Sequence, residues 1–415
     1  MLNPKKEIYK ALRGSQKYTQ TDMVYLARGG FWLGLGQTIT ALASFLLTLV
    51  FANFVPQDTF GTYRFVLSLA GILAIPTLSG MNTALMQAVA RGKEAMFMPV
   101  LKIKLRWGII GSIGSIFASS YYFFKGNITL CLCFLITAAF LPLLNSFQIH
   151  ESFWAGRKKF DTQNKYKIIT HIASTAILIT TVFLTQNIFL ILLAYFLSWT
   201  ILHFIFLLLT IKKAGFNKEQ DQKTINYGKH LSLMDIMGII DSYLDKLLLW
   251  HFLGAAPVAV FVIAVSMPKK IKQLLNTISG LAFPKFSTRT KEELKASIPK
   301  KMLQLFLVTI PIAILYILFA KPIFKLFFPK YLEAVKYSQA YALVLLTYPR
   351  TLLGTALRAK KQTKALYRIT YILPPIYIIL LFIFVPFFGI WGLVTALLIL
   401  EAITFAIELF MFKKM

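Results

Sequence analysis

Six basic residues interrupt long apolar stretches of the sequence, and their type and position suit them to binding a ligand. An ionisable side chain in such a stretch normally faces a partner or a water-filled cavity. Arginine offers a phosphate group a bidentate fork, and lysine offers it a point charge. The pattern predicts a wet, positively charged cavity that binds an anionic group, with these residues in its wall: Arg64, Lys246, Lys269, Lys270, Lys272 and Arg350.

Acidic residues in two of the apolar stretches predict a second kind of site. Asp241 and Asp245 are four residues apart and therefore on one helical face, where two bare carboxylates would repel each other. Such carboxylates either form structural ion pairs with nearby bases or bind a proton or Na⁺. The candidates for ion coupling are Asp235, Asp241, Asp245 and Glu401, and Glu408 follows in the same stretch as Glu401.

No pattern of catalytic or metal-ligating residues stands out in the sequence. The five histidines are scattered without a metal-ligand spacing. There is no glycine-rich phosphate loop, so we expect no ATP hydrolysis. Apart from H⁺ or Na⁺, no cofactor is predicted.

The composition indicates which elements must position these residues. Of the 415 residues, 57% are hydrophobic and 15% are charged, whereas a soluble domain carries about 25% charged residues. This excludes a disordered protein and argues against a soluble enzyme. The sequence predicts an all-α polytopic membrane protein.

Hydropathy predicts about twelve transmembrane helices in two bundles of six. About 20 apolar residues cross a bilayer as a helix, because every backbone polar group must be paired internally. The spans are expected near residues 28–54, 61–85, 104–124, 128–150, 167–185, 187–211, 230–253, 256–283, 302–320, 334–357, 366–388 and 390–412.

The eighth span allows two interpretations, which differ in where the three lysines near residue 270 lie. A helix that ends at Met267 leaves them in the cytoplasm, but residues 256–267 form roughly 18 Å of helix, too short to cross. A helix that continues to Phe283 crosses fully and places the lysines in the inner half of the bilayer. We favour the long helix, with a kink at Pro268.

The distribution of Lys and Arg predicts the orientation in the membrane. Most of the 45 basic residues fall on one side of a twelve-span topology, in the N-terminal arm and in segments such as 91–106 and 157–167. An excess of this kind marks the cytoplasmic side, so both termini are expected there. The net charge of +29 then reflects topology and attraction to anionic lipid, not nucleic-acid binding.

The polar segment after the sixth span divides the chain. The expected organisation is a cytoplasmic arm (1–27), an N-terminal lobe (28–211), a cytoplasmic linker (212–229) and a C-terminal lobe (230–415). A faint repeat at an offset of about 200 residues, such as 79–81 with 279–281, is consistent with two related halves.

Several stretches resemble the Wzx-type polysaccharide repeat-unit flippases of the MOP exporter superfamily. Around the second span these are Gly61–Ser68, Ala74–Ala84 and Val89–Gly92. Around the seventh and eighth spans they are Asp245–Gly254, Met267–Lys272 and Phe283–Ser287.

The resemblance implies two six-helix lobes in a V, as in MATE exporters, around a central cavity. It implies a transporter, not an enzyme, that moves undecaprenyl-diphosphate-linked oligosaccharide from the cytoplasmic to the periplasmic leaflet of a bacterial inner membrane. A polysaccharide polymerase and chain-length proteins are the implied partners. Cavity cations of the family lie in the stretches that here contain Arg64, Lys269, Lys270 and Lys272.

Two other functions compete with this interpretation. A multidrug or cation antiporter of the same fold would need an acidic, aromatic cavity, which the basic spans do not predict. An integral-membrane glycosyltransferase or polymerase usually has long polar loops with paired carboxylates. The most charged loop, 284–301, is mainly basic, and Glu292 and Glu293 are its only acidic residues.

Overall fold

The computed structural model describes residues 23–217, 219, 221–280, 286, 289–360 and 362–415. These residues form α-helices and short 3₁₀ segments, with no strand in the described ranges. The predicted all-α class is confirmed. Most of the N-terminal arm, and the family-like stretch at 283–287 except Phe286, lie outside the described residues.

Fourteen α-helices follow in chain order through the described residues. The first eight are α1 Met23–Phe54, α2 Gln57–Leu73, α3 Gly80–Ala90, α4 Phe97–Phe124, α5 Ile128–Phe147, α6 Ile149–Gly156, α7 Phe160–Leu184 and α8 Ile188–Ala214. The remaining six are α9 Lys223–Leu253, α10 Ala255–Gly280, α11 Lys291–Phe327, α12 Ala334–Tyr341, α13 Thr351–Ala359 and α14 Thr363–Lys414.

Helix α10 resolves the two interpretations of the eighth span. It runs from Ala255 to Gly280 through Pro268 without ending at Met267. Its 26 residues correspond to about 39 Å of helix, which is long enough to cross a bilayer. The predicted continuation past Met267 is therefore confirmed, and the three lysines lie within the helix, whereas its expected end at Phe283 lies outside the described residues.

Two of the expected spans are interrupted by 3₁₀ segments, and a third break, at Gly389, falls at the boundary expected between the eleventh and twelfth spans. A 3₁₀ turn containing Pro76 separates α2 from α3. A longer 3₁₀ segment, Ala342–Arg350, joins α12 to α13 and ends at the predicted site residue Arg350. Within α14 the helix breaks at Gly389, whose φ of 57° suits a residue without a Cβ atom.

Long apolar helices establish that this is a multi-pass membrane protein. By length and composition six described helices can cross a membrane, or seven if the broken α2–α3 pair counts as one. Apolar side chains also point outward, as on α4, where Ile109, Ile113 and Phe117 are exposed. Lipid, unlike water, is a favourable environment for such a surface.

The chain divides into two compact units. The first contains the residues up to Leu47 together with Leu73–Asp235, and the second contains Thr48–Ile72 together with Ile236–Met415. Arg64 on α2 thus belongs to the second unit, with α9 to α14. The lobe boundaries expected from the sequence stay a prediction.

Each unit has an apolar interior of its own. Phe97, Phe153 and Met81 are fully buried in the first unit, and Leu249 and Phe261 are fully buried in the second. In the first unit α4 packs closely against the C-terminal end of α2 at Gly111. A Cβ atom at this position would lie 2.3 Å from the Leu73 carbonyl oxygen, so only glycine allows this approach.

Arg157 connects three segments of the first unit. Its Nε donates to Glu94 Oε1 over 2.7 Å and its Nη2 contacts Glu94 Oε2 at 2.5 Å. The same Nη2 donates to the carbonyl of Ala214, the last residue of α8. Both charged side chains are largely buried.

Replacing Glu94 by alanine is expected to destabilise the protein, because the Arg157 guanidinium would lose its carboxylate and keep the Ala214 carbonyl and the Phe153 ring as described partners. Hydrogen bonds to charged groups contribute about 1.5–3 kcal/mol. Thermal unfolding of the purified protein in detergent measures the loss. Glu219→Gln is the matched control, since the Lys93–Glu219 pair is exposed and such pairs contribute little. Equal unfolding midpoints for the two variants would contradict the role of Arg157.

Candidate functional site

Helix α10 positions three of the six predicted cations in the second unit. Its first half consists of small and aliphatic residues, and Val258, Phe261 and Val265 are buried in the core of this unit. Lys269 follows Val265 by four residues, and Lys272 follows Lys269 by three, so the three side chains lie along one face. Lys269 and Lys272 therefore continue, toward the C-terminal end of α10, the same helix face that is buried in its first half.

Lys269 lies among aromatic and charged groups, although its side chain is exposed. Its Nζ atom is 5.9 Å from the centre of the Phe261 ring and 6.0 Å from that of Tyr341. Both distances are within the range of cation–π attraction. Charges close enough to act on its ammonium belong to Arg64, Asp245, Lys246 and Lys272.

Glu401 pairs with two cations and is the centre of an ion-pair network. Lys272 Nζ lies 2.6 Å from Glu401 Oε1, and Arg350 Nη2 lies 2.8 Å from Oε2. Thr347 Oγ1 donates to Oε2 over 3.1 Å, and Arg350 Nη1 reaches Glu408 Oε2 at 3.2 Å. The four charged side chains are only 8–21% exposed. Lys272 and Arg350 are therefore neutralised within the protein.

Helix α9 supplies a further ion pair. Lys246 Nζ lies 2.7 Å from Asp245 Oδ1, and the Lys246 backbone N–H donates to the same oxygen over 2.8 Å. Asp241 is half-buried one turn earlier, and among the described residues no cation lies within 4.0 Å of its carboxylate. Ion pairing thus accounts for Asp245 and Glu401, but not for Asp241.

Two lysines of α10 differ from Lys272 in having no carboxylate partner in the part of the chain that the structure describes. Within the described ranges, no carboxylate oxygen lies within 4.0 Å of Lys269 or Lys270. Four carboxylates either pair with one of the six predicted cations or lie close to a carboxylate that does: Asp241, Asp245, Glu401 and Glu408. The cations outnumber these carboxylates by two, and Lys269 and Lys270 are without a carboxylate partner in the described part of the chain.

Arg64 joins this group from α2. Its guanidinium carbon lies 5.2 Å from the centre of the Phe60 ring, one turn earlier on the same helix. The side chain is half-buried. Arg64 is close enough to Lys269 for the two charges to interact, so the structure places a cation of the second span near one of the eighth.

Asp235 is not part of this cluster. It belongs to the first unit, where its Oδ2 accepts a hydrogen bond of 2.8 Å from the Ser79 hydroxyl. Its side chain is exposed. Of the four acidic candidates, three therefore lie with the cations and one does not.

The structure also reveals residues that sequence reasoning missed. Tyr341 and Tyr377 are buried close to Asp245, and Tyr341 also lies close to Glu401. Their only sequence signal is a polar hydroxyl in an apolar stretch. Lys104, assigned above to a cytoplasmic segment, is 1% exposed and donates to Asn82 Oδ1 over 2.9 Å.

Solved structures share this fold. A structure of the lipid II flippase MurJ in an inward closed conformation aligns with a TM-score of 0.69 and 16% identity, over 92% of this chain and 87% of that chain. An inward-facing multidrug resistance MATE transporter of the MOP superfamily aligns with a TM-score of 0.62 and 11% identity, over 93% and 97%.

A third structure with the same fold is a MOP superfamily transporter from Pyrococcus furiosus. It aligns with a TM-score of 0.60 and 13% identity, over 94% of this chain and 95% of that chain, and is described as having a binding pocket of reverse polarity. At these identities the likeness establishes the fold alone. No curated protein matches the sequence.

The sequence itself matches a family profile described as "Polysaccharide biosynthesis protein" over residues 26–290. The match covers more than half of the chain and includes the stretches of α2, α9 and α10 on which the resemblance was based. The family resemblance is confirmed, and the chain belongs to the polysaccharide biosynthesis protein family.

Proposed function

We propose that this protein moves a lipid-linked oligosaccharide with a diphosphate group from the cytoplasmic to the periplasmic leaflet by alternating access. The family supports a role in polysaccharide production. The observation that carries the proposal is the surplus of positive charge on α10, where Lys269 and Lys270 have no described carboxylate partner. Undecaprenyl diphosphate with an attached repeat unit is the substrate we propose.

The physical problem for such a transporter is to carry charge and sugar through hydrocarbon. The polyprenyl tail can remain in lipid, but the sugar needs hydration and the diphosphate needs countercharge. Lys269 and Lys270 offer ammonium groups that no carboxylate of the described residues neutralises. They receive the diphosphate, and Arg64 holds it later in the cycle. Lys246 joins Arg64 only after it releases Asp245, with which it pairs over 2.7 Å.

Lys272 and Arg350 have a different role in this proposal. Glu401 already neutralises both, and Glu408 also contacts Arg350. A substrate phosphate would have to displace these carboxylates to bind either cation. We therefore assign Lys272 and Arg350 to holding α10 and α14 in position, next to the binding groups.

A multidrug or cation antiporter is the alternative with the same fold. A cationic drug would be repelled by a site in which cations outnumber carboxylates. We therefore favour an anionic substrate over a cationic drug. A glycosyltransferase or polymerase would need a pair of carboxylates available for catalysis. Asp245, Glu401 and Glu408 are instead held in ion pairs with basic side chains, so they do not support such an activity.

The proposal includes a location and partners. The excess of basic residues in the segments assigned to the cytoplasm favours a bacterial inner membrane with both termini inside. A polysaccharide polymerase and chain-length proteins would use the product. We also propose that H⁺ or Na⁺ drives transport through Asp241, which has no cation partner among the described residues.

Replacing Lys269 and Lys270 together by glutamine is expected to slow flipping of a diphosphate-linked oligosaccharide about tenfold or more, because each lost charge-assisted contact is worth about 1.5–3 kcal/mol. Vesicles reconstituted with the protein and a fluorescent lipid-linked oligosaccharide measure the rate. Lys295 and Lys300, exposed on α11, provide the matched double glutamine control. A wild-type rate for the Lys269/Lys270 variant would exclude the diphosphate role.

Glu401→Gln is expected to lower thermal stability more than Lys272→Met does. Loss of the carboxylate leaves Lys272 without its described carboxylate partner and leaves Arg350 with Glu408 alone, whereas loss of the lysine leaves Glu401 paired with Arg350. Breaking a buried ion pair costs about 3–5 kcal/mol, and partial exposure places this case at the lower end. Unfolding midpoints in detergent rank the two variants, and the opposite order would contradict a shared carboxylate.

Asp241→Asn is expected to abolish the acceleration of flipping by an imposed H⁺ or Na⁺ gradient while leaving downhill flipping intact. The reason is that asparagine keeps the shape but cannot exchange a proton or neutralise a cation. Asp58→Asn, an exposed carboxylate in the first turn of α2, is the control. If the Asp241 variant still responds fully to both gradients, coupling does not involve this residue.

A further inference from the structure

A cavity of about 360 Å³ lies in the first unit, between α1 and the start of α7. A volume of this size is in the range of sites for small ligands, about 300–1,000 Å³. None of its wall residues belongs to the ion-pair network of the second unit. The wall includes an aromatic residue of α1 and five consecutive residues at the start of α7: Trp32, Lys158, Lys159, Phe160, Asp161 and Thr162.

Two apolar spans begin beside this cavity. The apolar segment of α1 starts at Gly29 and α7 starts at Phe160, and both helices are long and apolar enough to cross a membrane. They pack closely further along, since a Cβ atom on Gly36 would lie 2.2 Å from Asn164 Oδ1. The cavity therefore lies where two adjacent helices enter the membrane, at the level of the lipid headgroups. In the predicted topology this is the cytoplasmic end.

Two lysines at the cavity are held by aromatic rings. Lys159 Nζ lies 5.5 Å from the centre of the Trp154 ring, and Lys165 Nζ lies 5.3 Å from that of Trp32, which lines the cavity. A ring attracts an ammonium group but does not neutralise it. No carboxylate oxygen of the described residues lies within 4.0 Å of either Nζ atom. Both ammonium groups are thus positioned and keep their charge for a ligand.

The other polar groups of the cavity favour an anion that also carries hydroxyl groups. Lys158 adds a third ammonium group to the wall. Helix α7 begins here, so the positive end of its dipole is at the cavity, and Lys159 at its N-cap position makes no side-chain capping hydrogen bond. Asp161 supplies the one carboxylate among the described wall residues. Its oxygens are acceptors and therefore suit the hydroxyl groups of a ligand.

The surface of α7 beyond the cavity is apolar, which favours a lipid over a soluble anion. Asp161, Lys165, Ile169 and Ile172 are spaced by three or four residues and therefore lie on one face of the helix. Ile169 and Ile172 are each 50% exposed. Over about three turns this face changes from charged to apolar. A phospholipid changes in the same order, from its headgroup to its acyl chains.

We propose that this cavity binds an anionic phospholipid whose headgroup carries hydroxyl groups. The phosphate contacts Lys159 and Lys165, the hydroxyl groups donate to Asp161, and an acyl chain lies along Ile169 and Ile172. Basic pockets between transmembrane helices bind anionic headgroups by the same electrostatic attraction. A lipid that binds only the packed pair of helices stabilises the contact between α1 and α7. The site does not depend on which substrate the protein transports.

Replacing Lys159 and Lys165 together by glutamine tests the site. Native mass spectrometry of the full-length protein in detergent, titrated with phosphatidylglycerol, measures the affinity of the most tightly bound lipid. Loss of two ammonium contacts is expected to weaken this affinity about tenfold or more. The matched control replaces Lys212 and Lys213, exposed in the last turn of α8, by glutamine and should keep the wild-type affinity. Equal affinities for the Lys159/Lys165 variant and the wild type overturn the proposal.

Two competing ligands test the chemistry of the lipid with the wild-type protein alone. Phosphatidylethanolamine carries an ammonium group that the lysines repel, so phosphatidylglycerol should bind about tenfold more tightly. Inorganic phosphate in millimolar excess should not displace phosphatidylglycerol, because it lacks acyl chains to lie against Ile169 and Ile172. Equal affinity for the two lipids overturns the anionic headgroup. Displacement by inorganic phosphate overturns the lipid site in favour of a site for soluble anions.

Discussion

A charge within an apolar bundle must be compensated, and in the second unit Glu401 provides this compensation for two cations. Lys272 comes from α10, Arg350 from the 3₁₀ segment before α13, and Glu401 from α14. Without the shared carboxylate, Lys272 would lose its described carboxylate partner and Arg350 would keep Glu408 alone, an unfavourable state for two largely buried cations. The position of the basic segment of α10, and with it Lys269, therefore depends on this one side chain.

Within α10, one lysine is neutralised by a carboxylate and has a structural role, whereas another keeps its charge available for a ligand. Lys272 and Lys269 occupy one face of α10, yet only Lys272 has a described carboxylate partner. A protein that compensated every cation would have no free charge to offer a substrate. The balance of six cations to four carboxylates is therefore consistent with a site that an anionic ligand completes, which is the basis of the proposed diphosphate role.

The sequence predicted the fold class, the long eighth helix and the family, because these depend on hydropathy, helix length and local motifs. It did not predict which cation pairs with which carboxylate. Lys272 and Glu401 are 129 residues apart, and their contact depends on how α10 packs beside α14. The burial of Lys104 was missed for the same reason, since its partner Asn82 lies on another helix.

Buried polar groups in this bundle are compensated in two ways. Charged groups neutralise each other, as in the network around Glu401 in the second unit, with contacts of 2.6–3.2 Å, and in the Arg157–Glu94 pair of the first unit. Uncharged groups pair by hydrogen bonds instead, as Ser115 does with the Phe134 carbonyl. A neutral hydrogen bond needs no countercharge. It therefore holds helices together without changing the charge balance on which the proposed anionic site depends.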